Sequence, residues 1–342
     1  MTRAKKIQWI MGLMLLSIMA CQKTSLIEPL YFPKLMEIPA GFPAVTFPED
    51  NAFSQERWDL GKRLFFDPIM SVDSTISCAN CHLPQLAFSD EKSVSVGVSN
   101  RLGQRNSPSL ANVAYHPYFT REGGVPTLEM QILIPIQEHN EFDFNIVLLA
   151  EKLQQQEEYV QMSELAYGRT PDAFVITRAL ATYERSLLSG NSRYDQYQFQ
   201  GYTDVLSKAE LRGMDLFFGE QTNCSKCHSD FNFTNYQFEN NGLYEVYKDN
   251  GRFRLTSDST DLALFKVPTL RNIAITAPYM HDGSYTSLEA VIQHYNEGGH
   301  PHSQKSEWIR PLNLSKEEQN DLIQFLNTLT DETFIKNPIF SN

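Results

Sequence analysis

Apolar residues recur at intervals of three and four along five stretches of the chain, and each such stretch predicts an amphipathic helix. Gln55 to Phe66 places Trp58, Gly61, Leu64 and Phe65 at this spacing, with Pro68 as its stop. Pro171 to Leu188 is the longest, carrying Phe174, Ile176, Leu180, Tyr183, Leu187 and Leu188, with Gly190 just beyond. Ser207-Lys-Ala-Glu210 and Ser315-Lys-Glu-Glu318 have the capping-box pattern ahead of apolar runs. A fifth helix is expected from Ser287, with Leu288, Val291, Ile292 and Tyr295 close to one face. Long alternating patterns are absent, so the class expected is mainly α. Irregular chain is expected around Ser89 to Arg105 and Asn232 to Thr260. A weak repeat supports two related halves: Leu60-Gly-Lys-Arg-Leu-Phe-Phe precedes Cys78-Ala-Asn-Cys-His82, and Leu211-Arg-Gly-Met-Asp-Leu-Phe-Phe precedes Cys224-Ser-Lys-Cys-His228. A chain of 342 residues is about two domains long. The divisions expected are 51–200 and 201–335.

The start of the chain has a different pattern. Arg3, Lys5 and Lys6 precede an apolar stretch from Ile7 to Ala20 and then Cys21, so 1–21 reads as an export signal. The apolar stretch is too short to span a ~30 Å hydrocarbon core comfortably. Ile18-Met19-Ala20-Cys21 resembles the lipobox of bacterial lipoproteins, which implies acylation of Cys21 and a periplasmic body held at the membrane only by a lipid anchor. Residues 22–50, with Pro29, Pro33, Pro39, Pro43 and Pro48, read as an extended tether. A formal net charge of −12 repels phosphate backbones and argues against nucleic-acid binding.

With Cys21 set aside, the other four cysteines form two C-x-x-C-H clusters. This pentapeptide is the attachment signature of c-type haem: two thiols three positions apart reach the porphyrin vinyls, and the next histidine reaches the iron. Zinc would need all four cysteines together, yet 142 residues separate Cys81 from Cys224. Thioredoxin-like chemistry needs one C-x-x-C in a βαβ context that the pattern lacks. Two covalent haems c are therefore expected, on Cys78, Cys81 and His82 and on Cys224, Cys227 and His228. His116, His139, His281, His294, His300 and His302 remain as candidates for the distal sides.

The order of motifs resembles the bacterial dihaem cytochrome c peroxidase family, which includes MauG. Its carriers are Leu60 to Pro68, Arg105-Asn-Ser-Pro-Ser109, Thr127-Leu-Glu-Met-Gln131 with Pro135 and Glu141, Pro268-Thr-Leu-Arg-Asn272, Thr276-Ala-Pro-Tyr-Met-His-Asp-Gly283 and Ser287-Leu-Glu289, besides the two haem motifs. The resemblance implies two cytochrome c-like haem domains packed together, with peroxide reacting at the first haem and electrons supplied through the second. It implies Glu141 as distal carboxylate with Gln131 beside it, and Asn106, Thr276 and Pro278 as ligands of a calcium ion between the domains. Hydrogen peroxide, a small cytochrome or other periplasmic donor, and a homodimer are the partners to consider.

Three departures qualify it. Between His82 and His116 there is no histidine to close the first iron, and Val98 takes that place. Where the peroxidase branch has a methionine ligand on the second haem, this chain has Tyr295 after His294, which resembles MauG. The inter-haem tryptophan is missing, with Thr120 or Arg121 near its position. Three functions are thus expected to compete: a peroxidase-like oxidoreductase, a MauG-like enzyme oxidising a protein or organic substrate at long range, and a dihaem electron carrier.

Overall fold

The computed structural model describes residues 35–341. The signal, Cys21 and the first part of the tether lie outside them. Residues 36–342 form one compact unit, mainly α. The only strands named among the described residues are Phe238–Glu239 and Phe265–Lys266, a two-residue antiparallel pair. No helix among the described residues is long and apolar enough to cross a membrane.

Each half is organised by one crossed helix pair. In the first, Ser54 caps Gln55–Phe66 by accepting from the Arg57 amide, and Asp172 caps Ala173–Arg185 through the Val175 amide. The two helices touch at Gly61, where a Cβ would lie 1.9 Å from the Ala179 carbonyl oxygen. That approach buries Trp58, Leu60, Leu64 and Phe65, and brings the Phe65 ring centroid to 5.1 Å from Tyr183. In the second half, both capping boxes form, at Ser207/Glu210 and Ser315/Glu318, opening helices Lys208–Phe218 and Lys316–Asn327. Here Gly213 makes the close contact, where a Cβ would lie 1.9 Å from the Asp321 carbonyl oxygen, and Phe217 meets Phe325 at 5.2 Å.

The longest helix stops at Arg185, short of the Leu188 expected from its apolar pattern. Ser186 ends it. Its hydroxyl donates to the Tyr183 carbonyl at 2.7 Å and accepts from the Trp58 indole at 2.7 Å, so the last turn is tied to the neighbouring helix. Leu187 still enters the core, but as part of the turn.

Polar groups join the halves. Arg271, with no side-chain exposure, donates to Asp195 at 2.6 Å. Asn272 donates to Ser189 at 2.9 Å, and Asp331 accepts from the amides of Gly190 and Asn191 at 2.9 Å each. Such groups are stable in the interior only because each finds its partner.

Candidate functional site

Both C-x-x-C-H motifs fold as single tight turns. Asn80 accepts from the Ser77 amide at 2.7 Å and the His82 amide returns to Cys78 O at 3.0 Å, with the His228 amide returning to Cys224 O at 2.9 Å in the second motif. Each turn places two thiols and an imidazole on one side of the chain. His82 Nδ1 lies 2.8 Å from Phe88 O, and His228 Nδ1 lies 3.0 Å from Phe233 O. A carbonyl can only accept, so Nδ1 carries the proton and Nε2 keeps its lone pair for a metal. Phe88 and Phe233 take left-handed backbone angles, φ 60° and 50°, which turn these carbonyls inward. Burial lowers the pKa of both histidines, His228 to about 4, and holds the rings neutral as ligation requires.

The thiols are poor nucleophiles. Burial pushes Cys81 up to about 11 and Cys227 to about 12, the reverse of what a thiol–disulfide exchange site needs. No group of three or more potential ligands among His, Cys, Asp and Glu converges among the described residues.

A cavity of about 460 Å³ opens beside Cys78, Cys81 and His82, within the size range of cofactor sites. Gln131, Pro135 and Glu141 also line it. Burial, with Glu138 nearby, raises Glu141 to about 7, and its charge is felt at both Cys78 and Cys81. Gln131 Oε1 is buried without a partner. Val98 donates its amide to Glu141 O at 3.0 Å, so the loop lacking a histidine packs directly behind the acid. His139 is turned to the surface, paired with Asp143 at 3.1 Å.

In the second half, helix Leu288–Glu297 is capped by Ser287 and ends at Gly298. Its last turns carry both His294 and Tyr295. His294 has both nitrogens engaged, Nε2 at 3.0 Å from Asn241 O and Nδ1 at 3.4 Å from the Tyr285 hydroxyl. Tyr295 is half-buried, and desolvation pushes its phenol up to about 12, with the charges of Cys227 and Cys224 adding to the shift. Asn241 Nδ2 is 3.5 Å from its hydroxyl and 3.2 Å from Met280 Sδ.

Asn106, Thr276 and Pro278 line the same cavity. Asn106 reaches the second half by donating its amide to His281 O at 2.9 Å, while its own carbonyl and Oδ1 accept from Arg121 at 2.7 and 3.2 Å. Trp58 and Trp308 lie elsewhere, the first on Ser186 and the second under Lys226.

The sequence reading missed Glu184. It lines the same cavity, is 8% exposed, and burial raises it to about 8, enough to hold it largely protonated at neutral pH. Its signal was faint: an acid four positions after Leu180, on the apolar face of its helix. Lys266 was also missed, and His116 entered the sequence reading only as one of six candidate distal histidines. They line the cavity within 3.4 Å of each other, and burial lowers the lysine to about 8.

A fold of two similar helical halves, each presenting a C-x-x-C-H turn with a neutral inward histidine, defines a dihaem c-type protein. The pattern of the di-haem cytochrome c peroxidase family matches residues 55–204. The chain is 35% identical over 293 residues to methylamine utilization protein MauG of Methylorubrum extorquens, covering 84% of this chain and 82% of that one. It is 32% identical to cytochrome-c peroxidase IdrP1 of a Pseudomonas species, covering 85% of each. A solved MauG-like protein associated with microbial copper homeostasis superposes with a TM-score of 0.85 at 35% identity, over 89% of this chain and 98% of the other. The chain belongs to the di-haem cytochrome c peroxidase and MauG family, whose members are oxidoreductases carrying two c-type haems.

Proposed function

We propose that this chain reduces hydrogen peroxide at a haem held by Cys78, Cys81 and His82, with electrons arriving through a second haem held by Cys224, Cys227 and His228. The two domains are then 51–200 and 201–335. A haem held by Cys78, Cys81 and His82 would supply the electrons that cleave the O–O bond. The protein's part is to move a proton. The Glu141 carboxylate accepts it from the peroxide oxygen nearer the iron and returns it to the outer oxygen, which leaves as water. A general acid–base group works best with a pKa near the operating pH, and burial brings Glu141 to about 7. That coincidence of position and pKa is the observation carrying the proposal. Gln131, with its unpartnered Oε1, orients the bound peroxide by accepting its hydrogen.

Glu141→Gln keeps the shape and removes the base. It is expected to retain two covalent haems by mass spectrometry and to slow peroxide cleavage by ~10² or more. In the unmodified protein the rate should rise with pH through about 7 as the carboxylate forms. A wild-type rate in the variant would return Glu141 to an ordinary buried acid.

The Tyr295 geometry favours a second version of the same site, in which the reductant is a protein or organic substrate oxidised at long range. An anionic phenolate ligand stabilises higher oxidation states better than a thioether does. A small cytochrome is the donor in the first version. An electron carrier would leave Glu141 without a task. Export to the periplasm with a lipid on Cys21 completes the reading and rests on the amino-terminal sequence pattern.

A further inference from the structure

The oxygens expected to hold calcium already face a cation that belongs to the chain. Arg121 Nη2 donates to Asn106 O at 2.7 Å and to Asn106 Oδ1 at 3.2 Å. Calcium binds oxygen ligands at ~2.3–2.6 Å, so an ion on Asn106 Oδ1 would share that oxygen with the guanidinium and lie within about 6 Å of its nitrogen. Two positive charges at such a separation in a poorly solvated site repel strongly. The donor set does not fit calcium while Arg121 stays where it is.

Burial and the charge of Arg105 lower the Arg121 guanidinium to about 10, so it stays charged at neutral pH while its position is set by the bonds to Asn106. Among the described residues Arg121 makes no ion pair with a carboxylate, and its Nε is buried without an acceptor. Glu122, Asp249 and Asp282 lie close enough to stabilise its charge, against the opposing charge of Arg105. Arg105 is itself satisfied, paired with Asp249 at 2.7 Å and with Glu122. Arg121 is left as the cation facing Asn106, whose amide joins it to the 276–283 loop through His281 O. One side chain thus stands at the junction where the resemblance implied a metal ion.

We propose that the Arg121 guanidinium replaces the calcium ion expected between the haem domains, so that the holoprotein needs no calcium to hold Asn106 and the 276–283 loop together. The proposal goes beyond the peroxide reading and stands whichever substrate the first haem serves.

The test uses the full-length dihaem protein. After desalting, elemental analysis should find far less than about one calcium per chain, and neither EGTA nor added calcium should move the melting temperature or the ferric EPR spectrum. About one retained calcium per chain, with EGTA lowering the melting temperature or altering the spectrum, would overturn the proposal. Arg121→Ala frees the Asn106 oxygens. It should gain calcium dependence, its melting temperature rising by about 3 °C or more when calcium is added. A variant that folds and ignores calcium counts against the replacement. If Arg121→Ala does not fold, Arg121→Gln is measured the same way, and the metal content of the wild-type protein decides on its own.

Discussion

The two halves can be laid on each other residue by residue. Asn112 and Asn272 share a left-handed backbone, and their amides reach Leu187 O and Leu329 O at 2.8 and 3.0 Å. The bridges Phe119 to Val125 and Tyr279 to Tyr285 correspond, as do the caps Thr127 and Ser287. Counted on from those caps, Pro135 in the first half stands where Tyr295 stands in the second. Proline has no amide to return to the Gln131 carbonyl, and the first segment is divided into Leu128–Gln131 and Leu133–Gln137, whereas Leu288–Glu297 runs unbroken. The same frame sets Glu184 against Leu326, because Gly61 meets Ala179 and Gly213 meets Asp321. One scaffold therefore carries two kinds of site. The first has a proline, a buried acid and Glu141 around its cavity, and the second has a phenol and aliphatic packing.

The largest change expected is at the distal side of the second half. Tyr295→Phe removes the oxygen and should make the two halves alike, converting the low-spin ferric signal of the second haem to high spin. Persistence of that signal in Tyr295→Phe together with its loss in His294→Ala would transfer the role to His294.

The buried Arg271–Asp195 pair comes next. Asp195→Ala leaves Arg271 in the interior without its carboxylate, and breaking a buried pair this way costs ~3–5 kcal/mol. The urea midpoint should fall accordingly, and a loss under about 1 kcal/mol would show that other groups satisfy Arg271. Gly61→Ala and Gly213→Ala each push a methyl into a carbonyl 1.9 Å away. Overpacking of this kind costs ~1–3 kcal/mol, and the two variants should lose similar amounts if the halves are equivalent.

The smallest effect, and the one that varies with pH, is expected of Glu184→Leu, which installs the second half's residue in the first. Glu184 is raised from 4.5 to about 8, so between these values the unfolded chain has released a proton that the folded chain retains. Wild-type stability therefore falls as pH rises through this window. Glu184→Leu should flatten that slope in denaturation curves taken from pH 5 to 8. Parallel curves for the two proteins would mean that Glu184 titrates normally.

Much of this arrangement is legible in the chain. The helices at 55–66, 208–218, 288–297 and 316–327 follow from local capping and apolar spacing, which depend on near neighbours. Haem attachment is legible for the same reason, since the two thiols and the histidine are adjacent in sequence. The end of the 173–185 helix was misjudged because Trp58, far away in sequence, binds Ser186. Glu184 was missed because an acid on an apolar helix face shows no function until a cavity forms beside it.

The sequence alone determined the helical class, the repeat and the two attachment points, because each is written in residues close along the chain. Tertiary structure decided what surrounds them. On one helix, His294 and Tyr295 lie ~100° apart, and the Asn241 loop, more than fifty residues earlier, holds His294 Nε2 on its carbonyl while its side-chain amide lies 3.5 Å from the phenol. Arg121 reads as a loop residue near a vanished tryptophan until the fold sets it against Asn106. Spacing dictates which side chains share a face, but the partner that each face meets depends on contacts between segments that no local pattern encodes.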